Sequence, residues 1–507
     1  MSPKAVSLAL SGLLLGMFVS NLASTIVSNA LPRIIPDLGG SQSVYAWIVT
    51  TELLAMTAAV PLWGKMADLY SKKLLIQLSL VLFVCGSLIA GFAPNIEVLI
   101  LSRVVQGIGA GGMNALAIAV LAAIVSPREM GRYSGLFGAV FGLSTIIGPL
   151  LGGLMVDTSW LGWRWCFFLG VPLSLAAVVL LQRTLHLPVA RREVRIDWLG
   201  AALIVGGVSA LLIWSSLAGD KFGWASWQTA VLVAGGVVLL GLAVYVESRA
   251  AEPIIPLGIF RIRTVALATL ATVVVGVLMF GSGVFLSQYL QISLGKSPTV
   301  AGLMTLPLVF GLLVASTLAG SLITRHGRWK PFLLAGAALM TVGALLFSSI
   351  DAHTNVLLLS AYMVVFGAGI GLLLQNLVLA AQNEVAASNL GAATSTVSFF
   401  RSMGGAIGVS ALGAVLANRV TTSLQERFGS AATGDGTVKV PELSKLPPEV
   451  LRAVQDAYGS ATADLFRDAI PIAAVAVIAV ALIKEKPLQT LTGDQRRAKE
   501  TAGSAPE

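Results

Sequence analysis

The stretch Gly64-Lys65-Met66-Ala67-Asp68-Leu69-Tyr70-Ser71-Lys72-Lys73 has a counterpart much later in the chain, Gly320-Ser321-Leu322-Ile323-Thr324-Arg325-His326-Gly327-Arg328-Trp329-Lys330. Each copy has a glycine, a polar residue four later, a small residue seven later, and then a basic residue. Both follow long apolar runs. A repeat so widely separated argues for a chain of two halves built on one plan.

Working outward, the 507 residues are 56% hydrophobic and only 11% charged, with a mean hydropathy of +0.87. Soluble domains carry roughly 25% charged residues. The composition excludes an ordinary soluble enzyme, a nucleic-acid-binding module and a disordered scaffold. Crossing a bilayer takes about 20 apolar residues per helix, so fourteen spans would use roughly 280 residues. Apolar windows of that kind lie at Val6–Ala30, Tyr45–Gly64, Leu74–Ala93, Val98–Val125, Tyr133–Val156, Trp165–Leu181 and Trp198–Gly219. They continue at Trp227–Val246, Thr264–Leu294, Val300–Thr324, Pro331–Ile350, Thr354–Asn383, Ala392–Asn418 and Ala469–Ile483. The first is too long for a signal-peptide core and reads as an uncleaved span. The last, bounded by Asp468 and Lys484, is the shortest of the set. The expected architecture is an all-α polytopic membrane protein of two six-helix halves plus two inserted central helices. The halves are expected at residues 1–197 and 249–485, with the inserted pair at 198–248, a long external loop at 419–467 and a cytoplasmic tail at 486–507.

Lys and Arg set the orientation. With the N-terminus inside, the inner segments hold 21 of the 33, the short outer loops four, the 419–467 segment six and the spans two. That bias predicts both termini in the cytoplasm. It accounts for the net charge of +9 as topology, without a nucleic-acid partner. Cys85 and Cys166 lie in apolar segments, and the three histidines are scattered, so no disulfide framework, metal site or cofactor site is expected. Gly295-Lys296-Ser297 has Leu290 where a phosphate loop needs its first glycine. With no nucleophile elbow either, the chain is not expected to be an enzyme.

Three charges fall inside spans: Glu52, Arg103 and Arg401. Such a charge normally faces a cavity or a partner. Glu52 and Arg103 enter from the same side at similar depth, which permits an ion pair. Uncharged polar residues also fall in spans: Asn21, Gln106, Asn114, Gln288, Gln291, Gln375 and Asn376. With Phe280, Phe399 and Phe400, which are suited to stacking on a flat ligand, they outline an amphipathic cavity. Each residue taken singly also fits plain helix packing.

The Gly64–Lys73 loop resembles the signature loop of the major facilitator superfamily. Leu101-Ser102-Arg103-Val104-Val105-Gln106-Gly107-Ile108-Gly109-Ala110-Gly111 is similar to that superfamily's second motif. Gly138, Gly142 and Gly148-Pro149-Leu150-Leu151-Gly152-Gly153 resemble its antiporter motif. The fourteen-span layout, Thr25-Ile26-Val27, Ala30-Leu31-Pro32 and Phe400-Arg401-Ser402-Met403-Gly404-Gly405 resemble the fourteen-span drug:proton antiporters. The resemblance implies a monomer in a bacterial inner membrane, surrounded by lipid, that exports lipophilic or cationic drugs and toxic compounds against protons by alternating access. The alternative is a facilitator or exporter of a lipid, siderophore or metabolite without proton coupling. It also implies that Asp68, beside Gly64 and Lys72, engages the opposite half, and that Gly148, Pro149, Gly152 and Gly153 form a hinge or seam. The family often carries an Asp two residues before the position of Thr25, where this chain has Ala23. Glu52 is the candidate to take over proton coupling, with Arg103 and Arg401.

Overall fold

The computed structural model describes residues 3–38, 44–125, 127–158, 161–185, 197–217, 222–223, 226–250, 253, 255–296, 298–428, 447–492 and 495–496. Seventeen α-helices are found among them. The first nine are α1 (Pro3–Asp37), α2 (Val44–Leu69), α3 (Lys72–Gly91), α4 (Ile96–Ile124), α5 (Pro127–Asp157), α6 (Trp165–Phe168), α7 (Gly170–Thr184), α8 (Trp198–Leu217) and α9 (Trp227–Arg249). The rest are α10 (Arg263–Gln288), α11 (Pro298–Met304), α12 (Leu306–His326), α13 (Lys330–Phe347), α14 (Val356–Leu374), α15 (Asn376–Glu384), α16 (Leu390–Phe428) and α17 (Pro448–Leu482). Every apolar window of the sequence is helical in whole or part. Among the described residues, eleven helical runs are long and apolar enough to cross a membrane. The fold is therefore all-helical and membrane-spanning, while fourteen is the number of apolar windows in the sequence rather than a demonstrated number of crossings.

Helix starts follow from short polar side chains that satisfy the otherwise unpaired first-turn N–H groups. Asn95 Oδ1 accepts from Val98 N (2.9 Å) at α4, and Asn355 Oδ1 accepts from Leu357 N (2.8 Å) at α14. The two caps stand at the same place in each half.

The packing repeats as well. In the first half α4 packs on α2 and α3, α1 on α5 and α7, and α3 on α7. In the second, α14 packs on α12 and α13, α10 on α16 and α17, and α13 on α17. Glycines set the central crossing of each half, because without side chains the backbones approach closely. A methyl at Gly107 or Gly111 of α4 would strike the carbonyls of Glu52 and Met56 in α2. One at Gly367 or Gly371 of α14 would strike those of Leu308 and Leu312 in α12. Leu308, struck from Gly367, is thus the counterpart of Glu52, struck from Gly107. Met363, one helical turn before Gly367, is the counterpart of Arg103, one turn before Gly107. Between the halves, α8 and α9 pair with each other, and α8 leans on α2 and α16.

Two expectations are corrected near the C-terminus. The 419–467 segment is not a loop over most of its length, because α16 continues to Phe428 and α17 begins at Pro448. The short last window is therefore the end of a 35-residue helix. Charges at Arg452, Asp456, Asp464, Arg467 and Asp468 break the apolar run but not the helix. Proline at the first position is compatible with its start, and Ala453, Val454, Ala457, Tyr458, Ala461 and Leu465 give it a buried face. Ion pairs tie the extensions together: Arg419 to Asp464 (2.9 Å) and Asp468 (2.6 Å), and Arg427 to Asp456 (3.1 Å). Gly429–Gly436 lies outside the described residues. The start of the tail is docked: Lys486 pairs with Glu384 at 2.5 Å, and Trp329 Nε1 donates to the Lys486 carbonyl at 2.9 Å.

Candidate functional site

At the end of the bundle carrying the Gly64–Lys73 loop, the halves are joined by Asp68. Its Oδ1 accepts from Gly391 N (3.0 Å) and its Oδ2 from Ala392 N (2.8 Å). These donors belong to the first turn of α16, whose N–H groups have no partner within the helix. The positive end of the helix dipole adds to the attraction for a carboxylate. Gly64 lets the contact close, since a Cβ there would strike Ser395 and the Gly391 carbonyl. Lys72 opens α3 beside this junction and is half-buried. In the second copy of the loop Thr324 stands at the place of Asp68, and its hydroxyl donates to Gly320 of its own helix (2.9 Å).

The glycines of α5 serve two different neighbours. Gly138 and Gly142 face Leu312 and Val309 of α12, across the halves. Gly148 instead faces Thr25 of α1, within the first half, where Thr25 Oγ1 donates to the Ser144 carbonyl (3.0 Å). Gly152 is buried in α5. Pro149 and Gly153 also belong to α5, and their side-chain surroundings lie outside the described residues.

A cavity of about 100 Å³ lies between the halves. Of the candidates named from the sequence, Asn21, Asn114, Gln375, Phe280 and Arg401 line it. The amides of Asn21 and Asn114 each donate one bond back to their own helix, at Met17 O (2.9 Å) and Ala110 O (3.0 Å). Sequence reasoning missed Met17, Met56, Phe137, Met279, Ser398 and Ser402, which also line the cavity. Ser398 and Ser402 were within reach, since they flank Arg401 on one helical face. The methionines carry no polar signal by which to be found.

Several candidates lie elsewhere. Gln106 is buried in the first half, where it accepts from Arg103 Nη1 (2.5 Å) and donates to Ser87 Oγ (2.8 Å). Asn376 donates to Leu372 O (2.7 Å) behind the cavity wall. Phe399 is buried edge-on against Phe400 (ring centres 5.3 Å apart). Gln288 and Gln291 sit at the far end of α10 and in the wide turn after it, where Gln291 donates to Ser287 Oγ (3.0 Å). Helix phase turns Gln106, Asn376 and Phe399 from the cavity, and position along the helix axis removes Gln288 and Gln291; composition alone reveals neither.

Glu52 and Arg103 form a buried ion pair between α2 and α4, 3% and 1% exposed. Ser24 of α1 also hydrogen-bonds Glu52, and the Arg103 guanidinium lies 5.9 Å from the Phe167 ring centre. The pair is one helical turn from the cavity, which Met56 lines. Arg401 has a different environment. Its Nη1 is buried without a hydrogen-bond partner. Among the described residues lining the cavity, it is the one charged side chain.

The sequence profile of the Major Facilitator Superfamily matches residues 13–283 and 184–409. An uncharacterized MFS-type transporter of Mycobacterium tuberculosis is 39% identical over 502 residues, covering 97% of this chain and 72% of the relative. Multidrug resistance protein 3 of Bacillus subtilis is 32% identical over 479 residues, covering 92% and 93%. In fold, the chain is similar to the proton:xylose symporter XylE bound to 6-bromo-6-deoxy-D-glucose (TM-score 0.63, 13% identity, 98% of this chain and 100% of that one). With two halves on one plan, a cavity between them and relatives matched along nearly its whole length, the chain belongs to the major facilitator superfamily, whose members are transporters and not enzymes.

Proposed function

We propose that the protein exports lipophilic small molecules by alternating access, coupled to protons, with the Gly64–Lys73 loop on the cytoplasmic side. The observation that carries this reading is a cavity between two halves, shut at one end by Asp68 on the first turn of α16. At about 100 Å³ the cavity is smaller than the roughly 300–1,000 Å³ of drug-sized sites. It must widen to load, and the halves must part at one end to do so. Relatives named multidrug transporters support a drug-like cargo.

Proton coupling is assigned to the Glu52–Arg103 pair. The fold does not demand an ion pair at this crossing, because the equivalent crossing of the second half has Leu308 and Met363. Protonation of Glu52 would release Arg103 one turn from the cavity. The cationic part of the expected cargo loses support, since no described carboxylate lines the cavity. The test is transport in proteoliposomes under an imposed pH gradient. Wild type is expected to drive a lipophilic probe against its gradient, and Glu52→Gln at matched insertion is expected to let it only equilibrate. Wild-type-rate accumulation by Glu52→Gln would remove Glu52 as the coupling group.

A further inference from the structure

The geometry points to Arg401 as an anion-binding group of the central cavity, selecting lipophilic substrates that carry a carboxylate or sulfonate. This rests on the export reading and adds the charge class of the cargo. Arg401 lies eleven residues into α16, about 16 Å along the helix axis. That depth is near the middle of a hydrocarbon layer about 30 Å thick. An arginine so placed normally has a partner. Arg103 has two, Glu52 and Gln106. Arg401 Nη1 has none, and no carboxylate is present among the described residues that line the cavity with it.

The rest of the lining completes a recognisable class. Ser398, Ser402 and Gln375 offer neutral hydrogen-bonding groups near the guanidinium, while Met17, Phe137 and Phe280 offer apolar and aromatic surface. A ligand that fits has a lipophilic body and one anionic head. The planar guanidinium matches a carboxylate or sulfonate with two parallel hydrogen bonds, and a low-dielectric wall strengthens them. A cationic ligand of the same size would meet Arg401 with no described carboxylate to offset it.

The test uses full-length protein in lipid nanodiscs, corrected against empty discs. The probes are 1-anilinonaphthalene-8-sulfonate and its uncharged parent N-phenyl-1-naphthylamine. The sulfonate is expected to bind wild type more tightly than the neutral parent. Arg401→Gln is expected to weaken sulfonate binding roughly ten- to a hundredfold, the weight of a hydrogen bond to a charged group, and to leave the parent within about twofold. Arg401→Lys is expected to fall between. Equal binding of both probes by wild type would overturn the inference, as would unchanged sulfonate binding by Arg401→Gln or equal loss of both probes. If Arg401→Gln fails to insert, the wild-type ratio of the two probes and the Arg401→Lys values decide. Export of both probes from vesicles is read separately. Arg401-dependent sulfonate binding without export would sink the export reading and keep the anion site. Export of the neutral parent without preference for the sulfonate would do the reverse.

Discussion

The crossing of α2 with α4 and the crossing of α12 with α14 are two versions of one structure. Both rest on glycines at matching positions pressed against the partner helix backbone. The first encloses Glu52 and Arg103, and the second has Leu308 and Met363 in their places. The difference shows that a crossing of this kind can be built by glycine and backbone without buried charges. Burying an ion pair costs desolvation that attraction only partly returns, so such a pair is weak evidence of stabilisation. Its place in one half alone, a turn from the cavity, fits a role in transport.

The largest expected effect comes from making the first crossing resemble the second. Glu52→Leu alone leaves Arg103 buried without its carboxylate and should cost about 3–5 kcal/mol, and Arg103→Met alone should cost a similar amount. The double variant should return to within roughly 1 kcal/mol of wild type, or exceed it, since apolar replacement of a buried pair is often neutral or stabilising. Unfolding of the four proteins in mixed micelles measures this. A double variant as unstable as the worse single would show that the first crossing depends on its charges for folding. A stable double variant that still accumulates substrate under a pH gradient would leave the pair without a coupling role.

An intermediate effect is expected where the two loops differ. Asp68 reaches across the halves, whereas Thr324 bonds within its own helix. Asp68→Asn keeps one acceptor oxygen but loses the charge, and should weaken the closed state by about 1–3 kcal/mol. Thr324→Val removes a hydroxyl but no charge, and should weaken closure by less than Asp68→Asn. Spin labels at exposed Tyr70 and Ala386 would report the separation of the halves. Equal opening in both variants, or in neither, would erase the distinction.

The smallest effect belongs to the α16–α17 extensions. Arg419 is 39% exposed, so its pairs with Asp464 and Asp468 are weakened by solvent and salt. Arg419→Gln should change stability by no more than about 1 kcal/mol, and less at high salt. A loss as large as that for Glu52→Leu would mean that the extensions hold the fold as firmly as the buried crossing does.

Much of this was legible in the chain itself. Apolar runs revealed the helices because a bilayer demands length and hydropathy, and the loop repeat revealed two halves. Similar depth on neighbouring spans raised the Glu52–Arg103 pair. The extension of α17 was hidden because a charge stops an apolar count but not a helix. Gln106 and Phe399 do not line the cavity, and the sequence could not show this because residue type does not say which face of a helix meets which neighbour.

The sequence by itself determined the apolar segments, the charge bias between their ends and the plan of two repeated halves, because these depend on composition and spacing along the chain. Only the tertiary structure decided that Asp68 meets the Gly391 and Ala392 amides from the opposite half, that Gly142 faces the other half while Gly148 faces its own, and that Arg103 is paired while Arg401 borders the central cavity. Hydrogen bonds and charges act over a few ångströms in space, and which groups come within that range is set by helix phase and crossing, not by order along the chain.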